Sequence, residues 1–280
     1  MRSVKILIAA GAASLLSGAA MAADIPVAPP PQYYAPPPVE DFGGWYLRGD
    51  IGMTNTRGTL DSKIYSDPTI TSLDHRGHGF DGGMLFGLGV GYQFNNWFRM
   101  DVTGEYRSRV GFSGTDFFTA PGWNIKNGSD TYNGGYKSWV GLVNAYVDLG
   151  TWNCITPFIG AGVGFANVQT TGIQDSGLFT DYNNGVTSAS YFAEGASKTN
   201  LAWAVHAGLS YRVTNNFTVE LAYRYLDMGT AAHGFGQAYN GTASQSTFQY
   251  RDMTSHDLKL GVRWTCCEVP PPPPPLITKG

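Results

Sequence analysis

The chain contains 280 residues with a formal net charge of −3; 14% of the residues are charged, 14% are aromatic and 37 are glycine. A charge so close to neutral, without a basic stripe that could neutralise phosphates, excludes a nucleic-acid partner. The abundance of glycine and aromatic residues favours an all-β protein.

The N-terminal segment, residues 1–22, is predicted to be a secretory signal peptide. Arg2 and Lys5 precede an apolar stretch, and Ala20-Met21-Ala22 provides the small residues that a signal peptidase needs. The apolar stretch is shorter than the roughly 20 residues of a transmembrane helix, and no other apolar run in the sequence approaches that length. Any membrane span must therefore consist of β-strands.

Proline-rich segments are predicted on both sides of the folded body. Residues 23–42 include the sequence IPVAPPPQYYAPPPVE, and residues 266–280 carry Cys266-Cys267 followed by a run of prolines. Proline has no backbone N–H to donate and favours the extended polyproline II conformation. We interpret both segments as periplasmic, which leaves residues 43–265 as the body.

In the first half of the body, side chains alternate with the period of two that is typical of β-strands. Strand one begins at Gly44, strand two covers residues 80–94, and strand three follows the turn at Asn95-Asn96. One face of each strand is apolar, and the other combines small residues with charged ones. The charged residues assigned to this second face are Arg48, Asp50, Arg99, Asp101, Glu105 and Arg107.

Five further strands complete the pattern. Strand four (138–149) is the least regular, because neither of its faces is purely apolar. Strand five covers residues 155–166, strands six and seven form a hairpin over 201–225, and strand eight covers 256–264. The charged and histidine residues assigned to their second face are His206, Arg212, Glu220, Arg224, Asp257, Lys259 and Arg263.

The turn between strands two and three predicts their register. With Phe94 opposite Phe98, Gly91 faces Asp101. Glycine then leaves room for the longer side chain opposite, in a lumen that eight strands make only just wide enough to fill.

The two faces of the strands suit lipid outside and a narrow polar lumen inside. We expect the lumen charges to pair, because an unpaired buried charge has a desolvation cost of several kcal/mol. In the hairpin of strands six and seven, Ser210 faces Glu220 and His206 faces Arg224, with Arg212 diagonal to Glu220. Arg212 and Arg224 are therefore expected to flank Glu220 in an ion network that closes the lumen.

Long and short connections alternate along the body, as in outer-membrane barrels with short periplasmic turns and long extracellular loops. The long stretches, 54–79, 111–135, 169–200 and 229–250, are rich in small polar residues and are predicted to be exposed loops. Aromatic residues beside the short turns predict a girdle at the periplasmic interface. These features predict an eight-stranded antiparallel up-and-down transmembrane β-barrel. The alternative, a soluble barrel of the lipocalin kind, would bury the apolar face instead.

The run GAGVGF at residues 160–165 and the closing LKLGVRW at 258–264 carry a family resemblance. With them, the chain resembles the OmpA-like eight-stranded outer-membrane β-barrel family, in particular its surface-antigen and porin-like branch in alphaproteobacteria. The resemblance implies a Gram-negative outer membrane, contact with its lipid and lipopolysaccharide, and insertion by the barrel assembly machinery. The chain departs from the family by continuing with Thr265-Cys266-Cys267, where members commonly end at Phe.

Candidate chemistry outside the lumen is sparse. His75 and His78, with Asp74 and Asp81 nearby, could bind a metal or haem, but exposed loop histidines are more often ordinary polar residues, so no cofactor or metal is predicted. No Ser, His and carboxylate set lies at the lipid-facing rim, which disfavours an enzyme.

The functional hypothesis is a monomeric surface barrel that contributes to envelope integrity and makes surface contact or adhesion, with an external ligand at its loops. The alternative is transport, as a small-solute channel or a haem-binding uptake protein.

Overall fold

The computed structural model describes residues 43–61, 68–241, 243–244 and 249–266. The predicted signal peptide and the proline-rich segment at 23–42 lie outside these residues, and of the predicted C-terminal segment, 266–280, only Cys266 is described, at the end of a strand. Within the described ranges, no helix has the length and apolar character needed to cross a membrane.

Long β-strands dominate the part of the chain that the structure describes. The barrel strands are β1 (Gly44–Asp61), β3 (Gly82–Gln93), β4 (Phe98–Ala120), β5 (Ile125–Asp148), β6 (Ile155–Asp181), β8 (Ser197–Arg212), β9 (Phe217–Asp227) and β13 (Gln249–Cys266). Shorter strands lie between them: β2 (Ser72–Phe80), β7 (Val186–Ala193), β10 (Ala231–Ala232), β11 (Gly236–Ala238) and β12 (Ala243–Ser244). A short 3-10 helix, Pro121–Trp123, joins β4 to β5.

The barrel strands form a closed antiparallel ring in the order β1-β3-β4-β5-β6-β8-β9-β13, and β13 pairs with β1 to complete it. Closure gives every strand of the ring a hydrogen-bonded neighbour on both sides, which is the condition for spanning lipid with β-structure. The predicted fold class, an eight-stranded antiparallel up-and-down barrel, is confirmed.

We call the end of the barrel with the short turns the lower end and the opposite end the upper end. The short turns fix the register of the strands. The amide of Phe94 donates to the carbonyl of Phe98 at 3.0 Å, and the Asn95 side chain accepts from the backbone amides of Trp97 and Phe98. Gly91 consequently pairs with Asp101, as predicted. The predicted pairs of Ser210 with Glu220 and His206 with Arg224 are also present, so the period of two and the turn length were sufficient to place them.

Aromatic side chains ring the outer face at both ends. The predicted ring lies beside the short turns and includes Trp45, Phe94, Trp97, Trp152, Tyr211 and Trp264. The structure adds a second ring at the upper end, which includes Tyr106, Trp139, Phe165, Trp203, Tyr223 and Tyr225. Two rings with an apolar band between them are the arrangement expected at the two interfaces of a membrane.

Several strands continue above the upper aromatic ring, where the sequence predicted loops. We call this region the upper extension: β2, β7, and residues 111–120 of β4, 125–135 of β5 and 169–181 of β6. The 3-10 helix and Asn124, at φ 57°, make the tight turn that allows β4 and β5 to pair almost to their ends. The polar composition of these stretches favoured loops, but Phe112, Asp116 and Phe118 keep the period of two.

Candidate functional site

The lower half of the barrel interior is filled by charged side chains. Apart from Arg212 and Arg263, all the residues assigned to the inner face are buried there: Arg48, Asp50, Arg99, Asp101, Glu105, Arg107, His206, Glu220, Arg224, Asp257 and Lys259. The Arg263 side chain is 11% exposed and contacts this set. Arg212 is exposed near the lower mouth of the barrel.

One part of the network centres on Arg224 and Arg107. Arg224 lies 2.6 Å from both Glu105 and Asp257, and Arg107 lies 2.9 Å from Asp257 and 3.1 Å from Glu105. Lys259 approaches Glu105 at 3.6 Å. Because each carboxylate is shared between cations on different strands, the cluster ties β4, β9 and β13 together through the lumen.

The other part centres on Glu220, whose carboxylate lies 3.2 Å from Arg99, 3.4 Å from Arg48 and 3.5 Å from Arg263. The Ser210 hydroxyl donates to it at 3.1 Å. The expected flanking of Glu220 by Arg212 and Arg224 is not what the structure shows, since Arg212 makes no ion pair with a described residue. Arg263 reaches Glu220 diagonally from the adjacent strand β13. Arg48 and Arg99 reach it from β1 and β4, which are not neighbours of β9, so neighbouring-strand register does not describe their contacts.

The network is balanced in charge. Its cations are Arg48, Arg99, Arg107, Arg224, Lys259 and Arg263, and its carboxylates are Asp50, Asp101, Glu105, Asp148, Glu220 and Asp257. Each buried charge therefore has an opposite charge to offset part of its desolvation cost.

Four uncharged residues that the charge pattern did not predict also take part in the network: Tyr46, Asn144, Tyr146 and Phe158. The Arg99 guanidinium carbon lies 4.4 Å from the centre of the Tyr146 ring and 4.7 Å from that of Phe158. Tyr46 donates to Asp101 at 3.2 Å, and Asn144 donates to the same carboxylate at 2.8 Å. The inward parity of Tyr46 and Tyr146 was a usable signal, because a buried phenol needs a hydrogen-bond partner.

Glycines provide the volume that these side chains occupy. A Cβ atom on Gly91 would overlap the Tyr46 ring, and one on Gly261 would overlap the Asp50 carboxylate. The sequence predicted that glycine makes room for the residue opposite on the paired strand. At Gly91 that room is used by Tyr46, which lies on the other neighbouring strand.

Above most of the ionic network, the interior is filled by apolar side chains. Among the buried members of this layer are Val110, Phe112, Tyr136, Val140, Leu142, Leu226, Met228, Tyr250 and Met253, and Phe80 packs against them. Val140 and Leu142 explain the irregular parity of the fourth predicted strand, because both of its faces contact apolar surroundings. The interior thus consists of an ionic layer below and an apolar layer above.

The outer face of the upper extension and the adjoining strands carries exposed apolar side chains beyond the aromatic rings. They include Phe117, Trp123, Leu178, Tyr182, Val186, Phe192, Phe235 and Tyr239. Phe235 is 91% and Tyr239 is 79% exposed, and both line one surface groove with Phe192. We call Phe192, Phe235 and Tyr239 the aromatic patch. Exposed aromatic clusters of this kind are typical of contact surfaces.

The inner face of the upper extension is acidic. Burial, together with the neighbouring Asp116, raises the pKa of Asp130 to about 6. Burial, together with Asp130 and Asp116, raises the pKa of Asp175 to about 7. On the same face, His75, His78 and Asp116 each place one ligand atom within 4.8 Å of the others.

Comparison with known proteins gives a family match over most of the chain. The family model described as the outer membrane protein beta-barrel domain matches residues 10–265. An uncharacterized protein of Brucella abortus is 31% identical over 234 residues, covering 78% of this chain and 80% of its own length. The outer membrane protein PagN of Salmonella typhimurium is 27% identical over 238 residues, covering 79% of this chain and 89% of PagN.

A candidate adhesin of Rickettsia prowazekii is 28% identical over 233 residues, covering 79% of this chain and 86% of its own length. Among solved structures, Neisserial surface protein A is 16% identical with a TM-score of 0.36, covering 80% of this chain and 97% of that one.

Proposed function

Because this chain belongs to the outer membrane protein β-barrel domain family and is located in the Gram-negative outer membrane, we propose that it contributes to envelope integrity and makes surface contacts through its upper extension. Outer-membrane barrels place their longer connections outside the cell. The upper extension and the aromatic patch then face the exterior, and the short turns face the periplasm.

One observation carries the proposal: the aromatic patch lies above the upper aromatic ring, where lipid no longer covers it. Aromatic side chains supply large contact areas at interfaces. The side chains of Phe235 and Tyr239 are largely exposed to solvent, so they contribute little to the stability of the fold. The name of one relative, a candidate adhesin of Rickettsia prowazekii, points in the same direction.

The two filled layers of the lumen support a non-conducting role over the alternative of a channel or uptake protein. Arg224 bridges Glu105 and Asp257 in the ionic layer, and the apolar layer lies directly in the outward path. A solute could pass only by breaking buried ion pairs and displacing packed apolar side chains. Each of these changes has a cost of several kcal/mol in free energy. We therefore assign surface contact to the exposed upper extension and aromatic patch, and envelope integrity to the barrel in the membrane.

The experiment compares the wild type with a variant in which Phe192, Phe235 and Tyr239 are all replaced by serine. The control variant carries Phe117→Ser and Trp123→Ser, which are exposed on β4 and on the 3-10 helix that follows it. Vesicles containing each purified protein are added to epithelial cell monolayers. We expect the patch variant to bind about tenfold less or weaker still, as truncation of central aromatic interface residues does, and the control to bind like the wild type. Equal binding by all three would contradict adhesion through the patch.

Envelope integrity is tested separately in a deletion strain exposed to detergent. Restoration of detergent resistance by both the wild type and the patch variant is expected, because the patch lies outside the membrane. A deletion strain that resists detergent as well as its parent would remove the envelope role while leaving the adhesion role untouched.

A further inference from the structure

The inner face of the upper extension brings together two imidazoles and a carboxylate. Nδ1 of His75 lies 2.7 Å from Oδ1 of Asp116, and Nε2 of His78 lies 2.9 Å from the same oxygen. The two imidazole rings meet edge to face at 4.9 Å. The Asp116 side chain is 3% exposed, whereas those of His75 and His78 are 46% and 34% exposed, so the cluster opens toward solvent on one side.

A backbone irregularity places both histidines on the same face. Residues three apart in a regular strand point to opposite faces. Here the β2–β4 register shifts between Arg76 and Gly79, and Gly77 adopts φ +63° in the left-handed region that glycine tolerates. The bulge turns His78 to the side of His75, which pairs directly with Asp116. Bulges of this kind frequently re-aim side chains beside functional sites.

We propose that His75, His78 and Asp116 form a binding site for a divalent first-row transition-metal ion such as Zn²⁺ at the extracellular end of the barrel. Two imidazole nitrogens and one carboxylate oxygen are a donor set that suits zinc, whereas calcium and magnesium prefer oxygen ligands throughout. Three protein ligands leave a fourth position for water or an external group.

The two contacts of Asp116 are close to the spacing of a bound site, and the three ligand atoms all lie within 4.8 Å of one another, so the imidazole nitrogens need to approach each other by at most about 1.5 Å. Ligands about 2.0–2.1 Å from a tetrahedral zinc ion lie roughly 3.3 Å from one another. The contacts of Asp116 with His75 and His78, at 2.7 and 2.9 Å, would need to lengthen by only a few tenths of an ångström. Both histidines have part of their side chains exposed, which gives the rings freedom to make that adjustment and the ion a path to the site.

Neighbouring residues support a cation at this position. The Tyr132 hydroxyl lies 3.1 Å from each ring nitrogen of His78, so it can accept a hydrogen bond from whichever nitrogen is not bound to metal. Asp130 pairs directly with Asp116 across β4 and β5, and Asp175 lies opposite Tyr132 on β6. These carboxylates make the inner face electronegative, which favours the approach of a cation. His78 and Tyr132 also line a cavity of about 300 Å³.

The competing explanation is that the histidines only hydrogen-bond Asp116 and hold β2 against β4. Calorimetric titration of Zn²⁺ into the purified, untagged protein in detergent micelles, after removal of metal by a chelator, distinguishes the two. Binding of one ion per barrel is expected for the wild type. Asp116→Asn and the double variant His75→Ala, His78→Ala are expected to weaken binding by more than tenfold, because each removes a direct ligand.

His256→Ala is the matched control, since His256 lies on the outer face and contacts Tyr223. It is expected to bind Zn²⁺ like the wild type. Cobalt provides a second readout, because Co²⁺ in a tetrahedral site absorbs visible light much more strongly than octahedral Co²⁺ in water. Absence of one-to-one binding, or binding that the double variant and Asp116→Asn leave unchanged, would overturn the site. This result is independent of adhesion, because the aromatic patch variant retains all three ligands.

Discussion

Arg224 and Glu105 lie 2.6 Å apart although their strands, β9 and β4, are four positions apart in a ring of eight. The two residues therefore approach from opposite walls and meet inside the lumen. Eight strands enclose an interior just wide enough for side chains. The barrel at this level is consequently filled by its own charges, and the ion pairs link its walls.

Removal of Glu220 is expected to destabilise the barrel. Glu220→Ala leaves Arg48, Arg99 and Arg263 without the carboxylate they share, and breaking a buried ion pair by removing one partner typically costs about 3–5 kcal/mol. Urea titrations of folding into lipid vesicles measure this free energy. Arg212→Ala is the control and should change stability by less than about 0.5 kcal/mol, because Arg212 is exposed. Equal effects of the two substitutions would contradict the assignment of the network.

Substitution of Gly91 tests the packing of the ionic layer. Gly91→Ala places a methyl group against the Tyr46 ring, and overpacking of a filled interior costs about 1–3 kcal/mol. Gly104→Ala is the matched control, because a Cβ atom there meets no atom within 4 Å. The same vesicle titrations are expected to separate the two variants. A Gly91→Ala protein as stable as Gly104→Ala would show that the lumen has spare volume at Tyr46.

The upper extension is expected to lose stability as the pH rises toward neutrality. The pKa of Asp175 is raised from 3.8 to about 7 by burial and by Asp130 and Asp116, so the folded extension binds its proton more tightly than the unfolded chain does. Its stability should therefore fall between about pH 4 and pH 7 and level off above that.

Hydrogen exchange of the amides in β6 and β7 measures this local stability on metal-free protein, after correction for the intrinsic pH dependence of exchange. Protection at pH 5 should exceed that at pH 8 in the wild type, and Asp175→Asn should remove most of the difference. Undiminished protection at pH 8 in the wild type would contradict a buried, proton-binding Asp175.

Local patterns were sufficient to predict the eight barrel strands and the pairing at their short turns, but not the strands of the upper extension, whose polar composition favoured loops. The period of two and the short turns placed Gly91 opposite Asp101 and Ser210 opposite Glu220, because register between adjacent strands depends on the residues of those strands alone. Contacts across the lumen were not predictable in this way. Arg99 reaches Glu220 only once the ring has closed, and its closure depends on all eight strands.

Two further features were missed for different physical reasons. Val140 and Leu142 face inward because they belong to the apolar layer, whereas the charged inner faces of the strands predicted one polar interior throughout. For His75 and His78, the sequence offered Asp74 and Asp81 as nearby carboxylates, but the carboxylate that both histidines contact is Asp116 on β4. The bulge at Gly77 turns His78 to the side of His75, because a slip of register inverts the face that the following residues occupy, and parity counted from the sequence could not detect this bulge.

Single-channel conductance in planar lipid bilayers tests the closed lumen most directly. The wild-type protein is expected to show no steady ohmic current, because ion pairs from opposite walls and the apolar layer above them fill the interior. Glu220→Ala is expected to raise conductance from this baseline, because the three arginines that shared Glu220 repel one another and admit water. A large, steady ohmic current through the wild type that Glu220→Ala leaves unchanged would contradict the closed lumen and favour a channel.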